Sequence, residues 1–350
     1  MRLLDTRTLE LVSKDVVDKE ARSSIPKYAI LSHRWTEEEI KFEDIAGNIK
    51  KATRRKKGWS KMRDFCNEAR ENGYNYAWID TCCINKTSSQ EVGDSISSMF
   101  DWYREADVCY VYLADYEHGA DPNEELGKCE WWTRGWTLQE LLAPSNVRFY
   151  DKTWARIGDK RSLSSLISRI TLIPELVLRG EKSHSDYSVA QRLSWAAARI
   201  TTHIEDTAYC LLGLFGINMP LFYGERHRAF LRLQKEILAN IYDSTIFAWN
   251  PSGTITNGIL AGSPRDFKSS SDVLKLEHSN NHDSMTPQGV LTKSTILVQG
   301  SSRVVRYCMR VGHRADSSET IAVPLEMVGP HRYERLPGTA LINVDSKRDR

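Results

Sequence analysis

The sequence predicts an α/β fold in its first half, followed by a helical stretch and a small β-rich module. Three observations support this prediction. Short apolar runs alternate with helical patterns up to about residue 150, and strong helix formers dominate from about 160 to 242. After Asp243, short β-prone runs are separated by clusters of Gly, Pro, Ser and Asn.

The first half supplies the strands and helices of a mostly parallel sheet. Residues 27–32, 76–80 and 108–113 are β-prone, and amphipathic patterns predict helices over about 59–71 and from Ser88 or Ser89 onward. Ligands of such sheets gather where parallel strands end. We therefore expect a site among the residues at or just beyond these ends, which are Ser32, His33, Asp80, Asp115 and Glu140.

The second half is predicted to be helical first and β-rich afterwards. The helical patterns cover 189–198, 205–213 and 226–241, and the β-prone runs cover 245–249, 289–291, 295–298 and 304–311. Residues 269–284 are predicted to form a long loop, and 345–350 a frayed tail. The predicted domains are 1–160, 161–243 and 244–350.

Composition and charge narrow the class of protein. A formal charge of +2 gives no general attraction to nucleic acid or to anionic membranes. No apolar run reaches the roughly 20 residues that a membrane helix needs, and the N-terminus lacks a secretory signal. The seven cysteines show no C-x-x-C spacing, which predicts reduced, buried thiols. We expect a cytoplasmic protein without a membrane partner.

The basic run over residues 50–57 has two interpretations. It is a nuclear-import or nucleic-acid patch, or a solvated loop. The second is favoured because no aromatic residues alternate with the lysines and arginines to stack on bases. Nucleic acid is therefore not an expected partner.

The segment from Arg134 to Pro144 is the most informative part of the chain. It places one carboxylate, Glu140, on a short and otherwise apolar helix that Pro144 ends. Trp136 and Glu140 are four residues apart, so they share a helix face, and the acid is expected beside an indole. In the simpler interpretation, Glu140 is a solvated residue on the rim of an amphipathic helix.

Two other kinds of site have weaker support. His33 and Asp80 with Cys82 or Cys83 have the residue types of a Cys-His nucleophilic site, but an apolar segment surrounds the two cysteines. Adjacent cysteines rarely both bind one zinc ion, so no metal is expected. The sequence lacks both the P-loop pattern and G-x-G-x-x-G, which argues against a standard nucleotide-binding fold.

Three motifs together resemble the fungal heterokaryon-incompatibility (HET) domain. They are Tyr28-Ala-Ile-Leu-Ser-His-Arg-Trp35, Tyr76-Ala-Trp-Ile-Asp-Thr-Cys-Cys-Ile-Asn85 with the segment 95–107 after it, and Arg134-Gly-Trp-Thr-Leu-Gln-Glu-Leu-Leu-Ala-Pro144. Their order and spacing match over about residues 25–145. The segments 204–217, 220–225 and 244–249 look like the extension found in vegetative-incompatibility proteins of this family.

The HET family is similar to TIR domains, which have a flavodoxin-like fold and in some cases cleave NAD at its nicotinamide bond. Their catalytic glutamate lies in a Ser-x-Trp-Cys-x-x-Glu-Leu pattern. Trp136, Glu140 and Leu141 match this pattern, whereas Arg134 replaces the Ser and Thr137 replaces the Cys. The resemblance thus implies a TIR-like (flavodoxin-like) parallel sheet with Glu140 as the catalytic residue.

The resemblance also implies where a substrate binds. The expected substrate-binding residues are Ser32, His33, Arg34, Trp35, Asp80 and Trp136. An aromatic ring such as that of Trp35 or Trp136 can stack on the nicotinamide or adenine ring. No metal and no cofactor are expected, because NAD is the substrate.

Two functions remain open at this point. The first is an NAD hydrolase that causes programmed cell death during heterokaryon incompatibility. The second is a death-signalling module that self-associates through the HET domain without catalysis, in which Glu140 is structural. In either case an allelic or non-self protein is an expected partner, and the sequence does not identify it.

Overall fold

The chain divides into two units in this computed structural model. It describes residues 1–13, 27–47, 49, 51–253, 258–276, 284–286, 289–292, 296–301, 304–316 and 319–344. The first unit is Met1–Glu181 and the second is Lys182–Arg350. The domain boundaries near residues 160 and 243 stay predictions.

A seven-stranded sheet forms the centre of the first unit. Its strands are β1 (Arg2–Asp5), β2 (Leu11–Ser13), β3 (Tyr28–His33), β4 (Tyr76–Trp78), β5 (Val108–Tyr112), β6 (Val147–Tyr150) and β7 (Arg156–Asp159). They lie in the order β2-β1-β4-β3-β5-β6-β7. The four strands β4, β3, β5 and β6 are parallel, and antiparallel strands flank them on both sides. The predicted α/β fold with a mostly parallel sheet is confirmed, and its TIR-like character stays a prediction.

The register of the parallel strands brings their carboxyl ends together. Ala29 of β3 lies opposite both Ala77 of β4 and Val108 of β5, and His33 lies opposite Tyr112. The residues that follow these strands therefore lie along one edge of the sheet, which we call the carboxyl edge. The prediction that Ser32, Asp80 and Asp115 lie along the same edge of the sheet is confirmed.

Helices connect the strands of the first unit. They are α1 (Phe42–Ile45), α2 (Lys57–Glu71), α3 (Asp80–Cys83), α4 (Ser89–Glu105), α5 (Pro122–Glu125), α6 (Thr137–Leu142), α7 (Ser164–Thr171) and α8 (Glu175–Leu178). The apolar stripe predicted for α2 is buried, and Gly73 ends this segment with a φ of 88°. The Ser88 side chain caps α4 by accepting from Glu91 N, as predicted.

Aromatic side chains pack the helices onto the sheet. Trp78 of β4 is fully buried and packs edge to face against Trp102 and Tyr103 of α4. The Tyr103 hydroxyl donates to the Leu31 carbonyl of β3 at 3.0 Å. This contact attaches α4 close to the carboxyl edge.

The second unit combines short helices with antiparallel strands. Its helices are α9 (Val189–Ser194), α10 (Asp206–Tyr209), α11 (Leu212–Phe215) and α12 (Arg228–Asn240). Its strands are β8 (Val273–Leu274), β9 (Ser284–Thr286), β10 (Gly289–Leu291), β11 (Ile296–Ser301), β12 (Val304–Arg314), β13 (Thr320–Gly329), β14 (Arg332–Arg335) and β15 (Ile342–Val344). β9 pairs with β10, and the other six strands form one sheet. The predicted β-rich C-terminal module is confirmed.

Three details of the second unit differ from the sequence prediction. The β-prone run 245–249 begins with a 3₁₀ turn, Ser244–Phe247, because the Asp243 carboxylate caps Thr245 N. The predicted helix 205–213 is two short helices, α10 and α11, and the long strand β13 was not predicted. Residues 277–283 of the predicted loop and the tail 345–350 lie outside the described residues.

The helical and β-rich segments of the second unit share hydrogen bonds. Asp243 accepts from Val189 N at 2.8 Å, and the Ser188 hydroxyl donates to the Val273 carbonyl at 2.6 Å. The segments therefore pack as one unit. No helix in the described part of the chain is long and apolar enough to cross a membrane.

Candidate functional site

Glu140 is buried at the carboxyl edge and belongs to a hydrogen-bonded relay. Only 8% of the residue is exposed. The Ser32 hydroxyl, at the end of β3, donates to Glu140 Oε2 and accepts from Trp131 Nε1 at 2.8 Å. The interpretation of Glu140 as a solvated rim residue is wrong. We call Glu140, Ser32 and Trp131 the relay.

The helix that carries Glu140 is held at its carboxyl end by a buried lysine. Lys160 Nζ donates to the Leu141 carbonyl at 3.1 Å and to the Pro144 carbonyl. An ammonium group is favourable there because the last carbonyls of a helix carry partial negative charge. Burial lowers the pKa of Lys160 to about 8. This anchor fixes the position of α6 and of its carboxylate.

The electrostatic effect of Glu140 extends to two neighbours. Burial raises the pKa of the Tyr103 phenol and of the Cys109 thiol, and the negative charge of Glu140 raises both further. Tyr103 lies on α4 and Cys109 on β5. The carboxylate therefore lies close to the central strands, in surroundings that keep neighbouring acids neutral.

An indole that the sequence did not indicate, that of Trp131, is linked to Glu140 through Ser32. Trp136 is half-buried and precedes α6, and its carbonyl accepts from Glu140 N at 3.4 Å. The indole of the relay belongs to the fully buried Trp131. Thr137 supports it, since its hydroxyl bonds the carbonyls of Trp131 and Arg134, each at 2.8 Å. The threonine at this position thus stabilises the turn that carries Trp131.

A second buried cluster lies beside the relay on the loop after β3. Glu39 accepts from Thr36 N at 2.7 Å and from the Lys61 ammonium, and His33 Nε2 lies 3.7 Å from its other oxygen. Burial favours the neutral form of Glu39, but the charge and hydrogen bond of Lys61 oppose this, and the pKa of Glu39 lies well below its usual value. Lys61 therefore ties this loop to α2.

The loop also approaches α2 closely at Gly58. A Cβ atom at this position would lie 2.6 Å from the Glu38 carbonyl oxygen, which is too close for any side chain. Gly58 N donates to the same carbonyl at 3.0 Å. The loop that presents Arg34 and Trp35 is consequently fixed against α2 by backbone and side-chain contacts.

His33 is buried in a neutral form. Its side chain is 1% exposed, and neither ring nitrogen has a hydrogen-bond partner among the described residues. Burial and the Lys61 charge lower the pKa of His33 below 6.5, against the opposing effects of Glu39 and Asp80. In this state His33 is therefore uncharged near neutral pH, and its buried ring nitrogens are poorly placed to act as a base.

We expect this histidine to make stability depend on pH. The unfolded chain protonates His33 near pH 6.5 while the folded chain does not, so the folded state loses stability as the pH falls below that value. One such group contributes at most about 1.4 kcal/mol per pH unit. Urea denaturation between pH 5 and 7 should show a smaller loss for His33→Asn than for the control His227→Asn, an exposed position. Equal losses would contradict this assignment.

The exposed Trp35 borders a cavity of about 460 Å³. The Lys86 ammonium lies 3.4 Å from the centre of the indole ring and 3.5 Å from Asp80 Oδ2. We call Trp35, Lys86 and Asp80 the cation box. Lys86 thus contacts both Trp35 and Asp80, and the substrate-binding role of these two residues stays a prediction.

Arg34 forms a surface ion pair and is not among the residues that line this cavity. Its guanidinium pairs with the Glu130 carboxylate, and both side chains are about half exposed. Such surface pairs contribute little to stability. The Asp115 carboxylate accepts a hydrogen bond from Glu130 N at 2.7 Å. Glu130 therefore lies beside Asp115 at the carboxyl edge.

The cysteines do not favour nucleophilic chemistry. Cys82 and Cys83 are buried. The hydrogen bond with Cys83 and burial raise the pKa of Cys82, which keeps this thiol protonated and unreactive. Among the described residues, no group of three or more His, Cys, Asp or Glu side chains is arranged to hold a metal ion.

Sequence reasoning missed several members of the site. They are Trp131, Glu39, Lys61, Lys86 and Lys160. Only Trp131 carried a local signal, the Trp131-Trp132 pair just before the Arg134–Pro144 segment. The others depend on contacts between distant parts of the chain.

The comparisons with known proteins find a family model that matches part of the first unit. Residues 28–122 match the family model of the heterokaryon incompatibility protein (HET). This part of the chain is therefore similar to the HET domain of fungal incompatibility proteins. Glu140 lies beyond the matched residues.

The chain also resembles a curated protein. It is 44% identical over 223 residues to the vegetative incompatibility protein HET-E-1 of Podospora anserina. The alignment covers 61% of this chain and 16% of that protein, so the chain spans about a sixth of its relative. No solved structure matches the chain.

Proposed function

We propose that this protein is an effector of heterokaryon incompatibility, which arrests or kills the fungal cell on non-self recognition by cleaving NAD. The HET family match and the similarity to a vegetative incompatibility protein support the biological role. The observation that carries the chemical part is the buried carboxylate of Glu140 at the carboxyl edge. The cytoplasm, where NAD is available, is the proposed location.

The proposed reaction is hydrolysis of the bond between nicotinamide and ribose. NAD⁺ and water give nicotinamide, ADP-ribose and a proton. As the bond breaks, the electron pair goes to the nicotinamide nitrogen and positive charge develops on the ribose. A carboxylate such as that of Glu140 stabilises this charge or holds the ribose hydroxyls.

The relay gives Glu140 two properties that this reaction needs. The Ser32 hydroxyl donates to the carboxylate and the Trp131 indole donates to that hydroxyl, so the two hydrogen bonds orient the carboxylate. Low exposure keeps water away, which strengthens its effect on a nearby positive charge. Trp35 lies three residues after Ser32, a span of at most about 11 Å. A ligand at the cavity beside Trp35 is therefore close to the relay.

The same burial favours a second candidate function. A carboxylate that is 8% exposed and bonded to Ser32 has little surface for a substrate in this state. A fully satisfied buried polar network also specifies one packing arrangement. In this alternative the HET domain signals by self-association or by binding an allelic or non-self protein, and the relay is structural.

Expression of the full chain in a fungal host tests the proposal. We expect induced cells to stop growing and their NAD content to fall before growth stops, because substrate loss is the cause of arrest. Cells carrying the vector alone are the control. Arrest at constant NAD would overturn the proposal of NAD cleavage and support signalling by self-association without catalysis. Continued growth with constant NAD would contradict both functions.

A further inference from the structure

The cation box has the features of a site for a positively charged ring. Trp35 is 55% exposed, although large aromatic side chains are usually buried, and it borders a cavity of about 460 Å³. The face of its indole is already covered by the Lys86 ammonium, 3.4 Å from the ring centre. Asp80 lies 3.5 Å from the same ammonium. The chain therefore stabilises a cation between an aromatic ring and a carboxylate.

The charge of the cavity favours a cation over an anion. The charged lining residues are Glu37, Glu39, Glu43, Lys41 and Lys86, which give a net charge of −1 (two positive and three negative). With the Lys86 side chain moved away the net charge is −2. The cavity thus becomes more attractive to a cation when its own lysine leaves.

We propose that the cation box binds the nicotinamide ring of NAD and that Lys86 is a built-in competitor for this place. This inference rests on the proposed function. The nicotinamide ring of NAD⁺ is a planar pyridinium cation, which combines the charge of the ammonium with a flat face that stacks on an indole. Binding therefore replaces Lys86 over Trp35 and places the ring charge near Asp80.

The inference has a chemical consequence for turnover. Cleavage leaves the bonding electron pair on the ring nitrogen, so the released nicotinamide is neutral and loses its attraction to the cation box. The positive charge meanwhile moves to the ribose. The cation box therefore favours substrate binding and product release, and it does not accelerate the chemical step. Variants in it should change KM more than kcat.

Binding of 1-methylnicotinamide, a stable pyridinium cation, tests the inference without any catalysis. Ligand-observed saturation-transfer NMR on the full chain should show binding of this cation and weaker binding of neutral nicotinamide. Lys86→Ala should tighten binding of the cation about two- to fivefold, the factor expected for one exposed cation–π contact. Lys86→Arg should not, because its guanidinium still covers the ring.

Matched variants complete the design. Trp35→Leu should abolish binding and Asp80→Asn should weaken it, whereas Lys128→Ala, an exposed lysine outside the cavity lining, should leave it unchanged. Circular dichroism checks that each variant is folded. No binding of the cation, unchanged affinity in Lys86→Ala, or full binding by Trp35→Leu would each overturn the inference. Tighter binding of pyrophosphate than of the cation would do the same, since it would identify an anion site.

The outcome is separable from that of the proposed function. If the cation binds as described but NAD is not cleaved, the cation box stands and the hydrolase proposal fails. If NAD is cleaved while the cation does not bind at Trp35, the hydrolase proposal stands and this inference fails.

Discussion

Replacing Glu140 with glutamine is expected to abolish cell killing and to lower the rate of NAD cleavage by about 100-fold or more. Glutamine keeps the length of the side chain and an oxygen that accepts from the Ser32 hydroxyl, but it removes the negative charge. A group that stabilises charge in the transition state typically contributes a factor of this size. The measurements are growth after induction and nicotinamide release by the purified variant.

The control for this variant is Glu124→Gln, which makes the same change at an exposed position. It should kill as the parent does. The Glu140→Gln protein should stay folded, with a decrease in unfolding free energy of about 1–3 kcal/mol at most, the cost of one imperfect buried hydrogen bond. If Glu140→Gln kills cells as well as the parent does, the catalytic assignment is wrong. The alternative function, signalling by self-association without catalysis, is then supported.

The Trp78→Ala variant is expected to lose about 3–5 kcal/mol of unfolding free energy and, with it, toxicity. Trp78 is fully buried, and its ring packs against Trp102 and Tyr103. Removing it leaves a cavity between β4 and α4, in the unit that carries the relay. Urea denaturation measures the stability, and induced expression measures the toxicity.

Tyr242→Ala is the matched control, because this aromatic residue is 61% exposed. It should change the unfolding free energy by about 0.5 kcal/mol or less. A folded Trp78→Ala protein that no longer kills would contradict the explanation by unfolding. Killing by an unfolded Trp78→Ala protein would show that toxicity does not need the native HET domain.

The elements that were predictable from the sequence are those with local signals. The apolar positions of α2 repeat at helical spacing, and Ser88 is a capping residue three positions before Glu91, whose backbone N–H it binds. The buried strands β3 and β5 are short apolar runs in the sequence. The parallel order followed because helices connect these strands, which brings their carboxyl ends to one edge.

The errors occur where tertiary contacts override local preference. Thr245, Ile246 and Phe247 have β-prone side chains, but Thr245 is held in a 3₁₀ turn by the Asp243 cap and by Ala190 N, which donates to its hydroxyl at 3.1 Å. Strand β13 contains Pro324 and was not recognised. Backbone pairing with β12, β14 and β15 stabilises this strand although it contains a proline.

The candidate site was predicted in part for the same reason. Ser32 and Glu140 were both expected at the carboxyl edge, and the structure joins them by a hydrogen bond across 108 positions of sequence. The part played by Trp131 was not predicted, because nothing local shows that its indole reaches Ser32. The lysines of the site, Lys61, Lys86 and Lys160, look like ordinary charged residues in the sequence.

The release of nicotinamide from NAD by the purified full chain is the most direct test of the central proposal, that Glu140 makes this protein an NAD hydrolase. The assay should include concentrated or cross-linked protein, since TIR-like sites are often completed by a neighbouring subunit. We expect nicotinamide and ADP-ribose in equal amounts from the parent chain and from Glu124→Gln, and none above background from Glu140→Gln. No release from the parent chain at any protein concentration, or equal release from Glu140→Gln, would contradict the claim.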